Sequence, residues 1–381
     1  MILRWVEAAA GLVIVVAVLL DVFQTIVTPR PVAGRLRASR WLVRGLWRFV
    51  RWLGFRLTDV RRRESLLGSF GPFCVLAMLV MWVVLLVVGY GLLLDSLRDE
   101  IRPQPRGLGG SLYFTATSML TIGFGDMVPT QGPAQALAVA AGATGLGMFA
   151  LVITFLYSLT ASFQRREVVV VTMEAGAGAP PSGVTLLESY ALAGITEDLG
   201  GAFERWQRWA AEVLDSHLAY PPLAYFRSSH DNDSWISSLG AMMDAATLII
   251  TTVEESSGDP APGEALVPRR VKGWAKLARS VGGHCIEDLV LFFRLPDGRE
   301  VLVEPDEYRA ARERLGRAGY RLKPEAEAWD AFRRQRAEYA VRINSLAAFW
   351  ACPPAQWISD RSPLRYPARH AVHLAPAHPP D

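Results

Sequence analysis

Long apolar runs fill the first part of the chain and nearly all end by Phe163. Residues 5–28 form one, interrupted by Glu7 near one end and Asp21 near the other, while Phe70–Leu94 and Ala134–Phe163 carry no charge at all. Each exceeds the roughly 20 residues that cross about 30 Å of hydrocarbon at about 1.5 Å per residue. Between the second and third lies a short helix-compatible stretch, Leu112–Leu120, then Thr121-Ile122-Gly123-Phe124-Gly125-Asp126 and Met127-Val128-Pro129. Helix followed by glycine-rich turn between two spans predicts a re-entrant loop, which is tolerated at membrane depth only where protein or a water-filled path satisfies its backbone.

Charge sets the topology. From Arg30 to Arg63 arginines recur throughout against Asp59 as the only acid, which puts this segment in the cytoplasm. The N-terminus then lies outside, the second span runs outward, the loop opens outside, and Arg165 and Arg166 end the third span on the cytosolic side. This orientation also argues against a cleaved signal peptide over residues 5–28. A formal net charge of only +3 gives no ground for a nucleic-acid partner. Cys74, Cys285 and Cys352 lie far apart and suggest neither a disulfide framework nor a zinc site.

The loop carries the chemistry. Stripping water from a cation takes rings of oxygens, and consecutive carbonyls share one axis only if alternate residues adopt dihedrals that glycine permits cheaply. Gly123 and Gly125 stand at alternate positions, Thr121 adds a hydroxyl, and the helix ending at Leu120 points its negative dipole end toward the same place. The segment resembles the pore loop and filter of the potassium-channel family, signature Thr-Val-Gly-Tyr-Gly-Asp, with a two-helix pore module of the prokaryotic type over roughly residues 70–163. The resemblance implies that Thr121, Ile122, Gly123, Phe124 and Gly125 line the ion path, that Asp126 sits at the outer mouth, and that four chains surround the axis, since one chain supplies one loop. It also implies a gating hinge at Gly145. Packing explains Gly145, Gly142 and Gly147 as well. Phe124 replaces the family's tyrosine and loses a bracing hydroxyl; Leu120 stands where many members have a second threonine.

The remaining membrane-half residues carry less specific readings. Asp21 is either a structural ion pair or part of gating. Trp82, Tyr90, Gly89 and Gly91 read as packing positions, and Phe155 and Tyr157 as residues low enough on the third span to narrow a pore. Ser39–Leu57 reads as an amphipathic helix with Arg40, Arg44, Arg48 and Arg51 on one face and Trp41, Trp47 and Trp52 among its apolar positions. Such a helix lies against anionic lipid, as an anchor or as a lever on the pore; a voltage sensor lacks the further helices it would pack on.

Beyond a β-prone run, Val168–Val171, and a Gly/Ala/Pro linker, Glu174–Gly183, the chain reads as helical. Helices are predicted around Leu199–His217, Trp235–Ile249, Val271–Ala278, His284–Phe293, Asp306–Leu315 and Glu325–Phe349. His217 falls in a buried stripe and reads as a packed histidine. His230-Asp231-Asn232-Asp233-Ser234 fits helix capping, with a metal or ligand site as the alternative. No glycine-rich fingerprint follows a strand, so a nucleotide-binding regulatory domain is not indicated. From Pro353 the chain reads as disordered, with His370, His373 and His378 too scattered for a metal site.

The expectation is an all-α membrane protein: first transmembrane helix (1–28), basic cytosolic linker with an interfacial helix (29–68), pore module (69–163), linker (164–183), cytosolic helical domain (184–352) and tail (353–381). As a function it is a non-enzymatic, homotetrameric, potassium-selective channel subunit of the plasma membrane. Its only ligand is permeant K+, with no cofactor or other metal; its partners are anionic lipid at the basic linker and an unidentified cytosolic ligand or protein. The alternatives are a weakly selective cation channel and a membrane-anchored ligand-sensing receptor.

Overall fold

A computed structural model describes residues 2–28, 37–228, 234–256, 264–265, 267–296 and 303–358. It divides into two units, Met1–Ala161 with Ala219–Phe226, and Ser162–Leu218 with Arg227–Asp381. Three helical stretches, Ile2–Val27, Arg61–Ser96 and Gly132–Ala177, are long and apolar enough to cross a membrane, and the protein is an all-α membrane protein with a helical C-terminal region.

In the membrane unit, α1 (Ile2–Val22) runs into a π-helical turn, Phe23–Val27, followed by α2 (Ala38–Arg56), α3 (Val60–Gly68) and α4 (Phe70–Ser96). The contacts Arg4–Asp99, Gly11–Gly89 and Asp21–Trp82 run in opposite chain directions, so α1 lies antiparallel to α4. The crossing is close because it is made of glycines: a Cβ on Gly11 would lie 2.6 Å from the Gly89 carbonyl oxygen. Asp21 is buried and saturated. It accepts from Ser39 N (2.9 Å), Ser39 Oγ (2.7 Å) and Trp82 Nε1 (2.9 Å), and Arg37 Nε stands 3.6 Å away while the same guanidinium donates to Thr25. This makes Asp21 a structural ion pair joining α1, the first turn of α2 and α4.

The pore module continues with β1 (Ile101–Arg102), α5 (Gly107–Met119), β2 (Val128–Pro129) and α6 (Gly132–Ala177). The two short strands pair antiparallel, Ile101 with Pro129 and Arg102 with Val128, an element the sequence did not suggest. Beneath them Leu94, Ile101, Phe114 and Ala134 form a small core. Because α6 is continuous to Ala177, the β-prone run Val168–Val171 and the first part of the expected linker are helix. Their β-branched residues follow the helix already under way, and Val170 and Met173 are buried along it.

The second unit is built on α9 (Trp235–Thr251), a largely apolar helix buried along nearly its whole length. Around it stand α7 (Gly183–Leu192), α8 (Leu199–Ala219), α10 (Arg269–Phe293), α11 (Pro305–Arg317) and α12 (Glu325–Phe349). The two helices expected over 271–293 are one. Ser234 caps α9, its hydroxyl accepting from Ser237 N at 2.9 Å, while His230, Asp231, Asn232 and Asp233 lie outside the described residues. Pro353–Ile358 departs from the expected disorder: Ala355 and Ile358 bridge, and buried Trp357 meets Phe332 edge to face with ring centroids 5.4 Å apart. His370, His373 and His378 fall outside the described residues.

Candidate ion-conduction site

The loop after α5 is shaped by alternating backbone conformation. Thr121, Gly123 and Gly125 have φ of 59°, 58° and 75°, and Ile122 and Phe124 between them do not share the left-handed region. Alternation of this kind turns successive carbonyls to one side instead of to both, as an extended strand would. Two of the three positions are glycine; Thr121, β-branched and left-handed, is a strained residue held by its surroundings. Its support is visible. Thr121 N donates to Ser118 O (3.2 Å), and Ile122 N (2.8 Å) and Gly123 N (3.1 Å) both donate to Thr117 O. The first three of the loop's N–H groups are thereby consumed on the last turn of α5, and residues 121–126 are exposed on the chain.

The pore helix is tied from three sides. Ser111 Oγ donates to Asp95 Oδ1 of α4 at 2.8 Å, with both side chains buried. A Cβ on Gly91 would meet Leu112 Cδ2 at 2.5 Å, so α4 and α5 touch where α4 has no side chain. On the opposite side Gly145 of α6 meets the end of α5: its Cβ would lie 1.9 Å from the Met119 carbonyl oxygen. At the outer end, Thr130 N and Oγ1 donate to Glu100 O (2.7 and 2.9 Å), and Glu100 Oε2 accepts from Ala134 N in the first turn of α6 at 3.0 Å. The Tyr113 hydroxyl lies near the Asp126 carboxylate, whereas Phe124 offers no hydroxyl. Asp95, Glu100, Ser111 and Tyr113 were not singled out from sequence; a carboxylate at the end of an apolar span was the signal available.

Other expected positions sort by burial. Gly145 is a packing residue by geometry. Tyr90 Oη stands 2.8 Å from Thr144 Oγ1, joining α4 to α6. Phe155 is 1% exposed and packs on Tyr220 at 5.9 Å, so it is turned away from the open face of α6. Tyr157 is exposed, and that open face carries Ala143, Gly147, Ala150 and Thr154. On α2, Trp47 is buried while Trp41, Phe49, Trp52 and Phe55 are exposed, with Arg56 over the Trp52 ring at 3.9 Å. Among the described residues no group of three His, Cys, Asp or Glu is placed to hold a metal ion.

In the second unit, Arg166 and His217 form a buried polar contact. Arg166 Nη1 faces His217 Nε2 at 3.3 Å and its Nη2 donates to Glu167 Oε1 at 3.0 Å, while His217 Nδ1 faces Val213 O at 2.7 Å. Burial, and then the neighbouring guanidinium, push the imidazole down to about 3. His217 is therefore a neutral, fixed tautomer, donating to Val213 and accepting from Arg166.

Residues 77–161 match the model of a family described as "Ion channel". The matched stretch runs from within α4 through α5 and its loop into α6, and supports a pore-type ion-channel domain with two membrane helices. It is also similar to the "Uncharacterized membrane protein YdjJ" of Bacillus subtilis (strain 168), 23% identical over 244 residues, which are 63% of this chain and 68% of that protein. No solved structure matches the chain.

Proposed function

We propose that the protein is a potassium-selective channel subunit, four copies of which surround one axis, with Thr121–Gly125 as the filter and Asp126 at its mouth. The observation that carries the reading is positive φ at alternate residues, Thr121, Gly123 and Gly125, with Ile122 and Gly123 N–H turned back onto Thr117 O. It frees a row of carbonyl oxygens to replace the hydration shell of a cation, which is conduction without covalent chemistry. Exposure of the loop and of Ala143, Gly147, Ala150 and Thr154 on the isolated chain suits surfaces completed by further copies. The charge pattern of residues 30–63 favours a plasma-membrane orientation with the loop opening outside. The exposed aromatics of α2, with Arg48 and Arg56 beside them, suit the cytosolic leaflet and its anionic lipid.

The test is potassium against sodium flux through the full-length protein in liposomes. Selective potassium flux that Gly123→Ala abolishes is the expected result, since alanine at φ 58° is strained. A reversal potential that hardly moves when potassium replaces sodium would instead favour the weakly selective channel that Phe124 and Leu120 suggest. An impermeable protein would leave the membrane-anchored receptor.

A further inference from the structure

The chain leaves the helical unit after Leu218, lends Ala219–Phe226 to the membrane unit, and returns at Arg227. Pro221 and Pro222 end α8 and start a single 3-10 turn, Pro221–Tyr225, in which Pro222, Leu223, Ala224 and Tyr225 are buried. Two prolines leave this turn little freedom, so it moves as a piece.

Its side chains, with those of the residues flanking it, touch three elements. Tyr225 packs on Trp47 of α2 at 5.4 Å and on Phe70 of α4 at 5.3 Å, and those two rings meet each other at 5.0 Å. Phe226 fills the space over Gly71, where a Cβ would lie 2.8 Å from its ring. Tyr220 packs on Phe155 of α6. One short turn thus carries a ring against α6 and another against the junction of α2 and α4. Both of its roots are tied into the helical unit. His217, two residues before it, is held by Arg166 and Val213. After it, Arg227 donates to Trp350 O (2.9 Å) and Ala351 O (2.8 Å), and Ser228 to Glu167 Oε2 (2.6 Å).

We propose that Ala219–Phe226 is a gating wedge, which holds the lower half of α6 away from α4 and through which the helical unit regulates the pore. The inference rests on the channel reading given above. Widening the axis requires α6 to swing outward toward α4, and the turn occupies the path of that swing. A ligand or partner that shifts Arg166, Glu167 or α12 pulls on the roots of the turn, and the rings follow because the prolines keep it stiff.

The experiment uses the full-length protein with Tyr220→Ala, Tyr225→Ala and the conservative Tyr220→Phe. Single-channel recording in planar bilayers is expected to show the open-to-closed ratio rising about threefold or more for each alanine variant, the scale of one lost ring contact. Unitary conductance and reversal potential stay as in the wild type, and Tyr220→Phe gates like the wild type. In parallel, hydrogen exchange read by mass spectrometry is expected to speed up over residues 150–161 in the alanine variants while 107–119 is unchanged. Unaltered gating with unaltered exchange would overturn the wedge. So would exchange that rises equally over both segments, which marks general loosening. A wild type that never conducts would count against the channel reading alone, and the exchange measurement then decides the wedge by itself.

Discussion

Alanine at position 145 separates packing from hinge motion. In the structure a Cβ there lies 1.9 Å from the Met119 carbonyl oxygen and 2.8 Å from its carbon. Helices α5 and α6 therefore have to part by roughly 1.5 Å before an ordinary contact returns. An apolar cavity of about 240 Å³, lined by Met119, Leu120, Gly145 and Met148 among others, adjoins the position. Side chains can repack into it, but the clash is with backbone, which repacking does not relieve. Overpacking costs about 1–3 kcal/mol where neighbours yield, and the rigid carbonyl puts Gly145→Ala at the upper end.

Gly147 is the internal control. It stands on the same helix with nothing within 4 Å of its would-be Cβ. Gly147→Ala should therefore gain up to about 1 kcal/mol of helix propensity. The two variants, identical in chemistry, are expected to separate by at least about 2 kcal/mol. Thermal midpoints of the solubilised protein in potassium, taken with the flux of each variant, measure it. Because Met119 immediately precedes Leu120 and the loop, Gly145→Ala should also lose selective flux. The reasoning is refuted if Gly145→Ala melts together with the wild type and Gly147→Ala and changes only gating, which is what a hinge predicts.

Three further outcomes are expected. Asp21→Ala leaves Trp82 Nε1 and Ser39 N without their acceptor and Arg37 without its counter-ion, a loss of about 3–5 kcal/mol by denaturant or thermal unfolding; a loss under about 1 kcal/mol would contradict the saturated geometry. In a background stripped of native cysteines, Thr154→Cys should react with a water-soluble thiol reagent, whereas Phe155→Cys, buried against Tyr220, should not; equal rates would reverse the assignment of the two faces of α6. His217 sits at about 3, below its ordinary 6.5, so the unfolded chain takes up a proton there before the folded one does. Stability is then flat above about pH 6.5 and falls by up to about 1.4 kcal/mol per pH unit below it. His217→Gln should remove that slope between about pH 6.5 and 5, and a slope that persists would show that another group titrates.

What the sequence made legible was what hydrocarbon and ion chemistry constrain directly. A span must be long and uncharged, and a carbonyl row must have residues that tolerate positive φ, so Phe70–Leu94, Ala134–Phe163 and the Gly123/Gly125 alternation could be read without coordinates. Amphipathic helices such as Glu325–Phe349 were equally readable, because a single buried face repeats in sequence. The hidden features depend on partners distant in the chain. Nothing near Asp95 announces Ser111, nothing near Glu100 announces Ala134, and a Pro-Pro pair after α8 announces only a break. Val168–Val171 was misread for the complementary reason: local β preference is weak against a helix already running from Gly132. Phe155, expected to narrow a pore, is instead buried, and its burial comes from Tyr220, far along the chain.

The two ends of the pore module are held by different kinds of force, and this bears on where it can move. At the end carrying the two short strands the fixings are directional: Glu100 to Thr130 and Ala134, Ser111 to Asp95. Hydrogen bonds weaken steeply when lengthened or bent, so a shift of about an ångström there breaks several at once. At the inner end α4 and α6 are held through rings, Phe70 and Trp47 on Tyr225 and Phe155 on Tyr220. Ring contacts keep most of their energy over a range of offsets and tilts, so the same displacement is tolerated. On the wedge proposed above, motion of α6 is therefore expected in its lower half, while the packing of Gly145 on the Met119 backbone holds the part beside the loop in place.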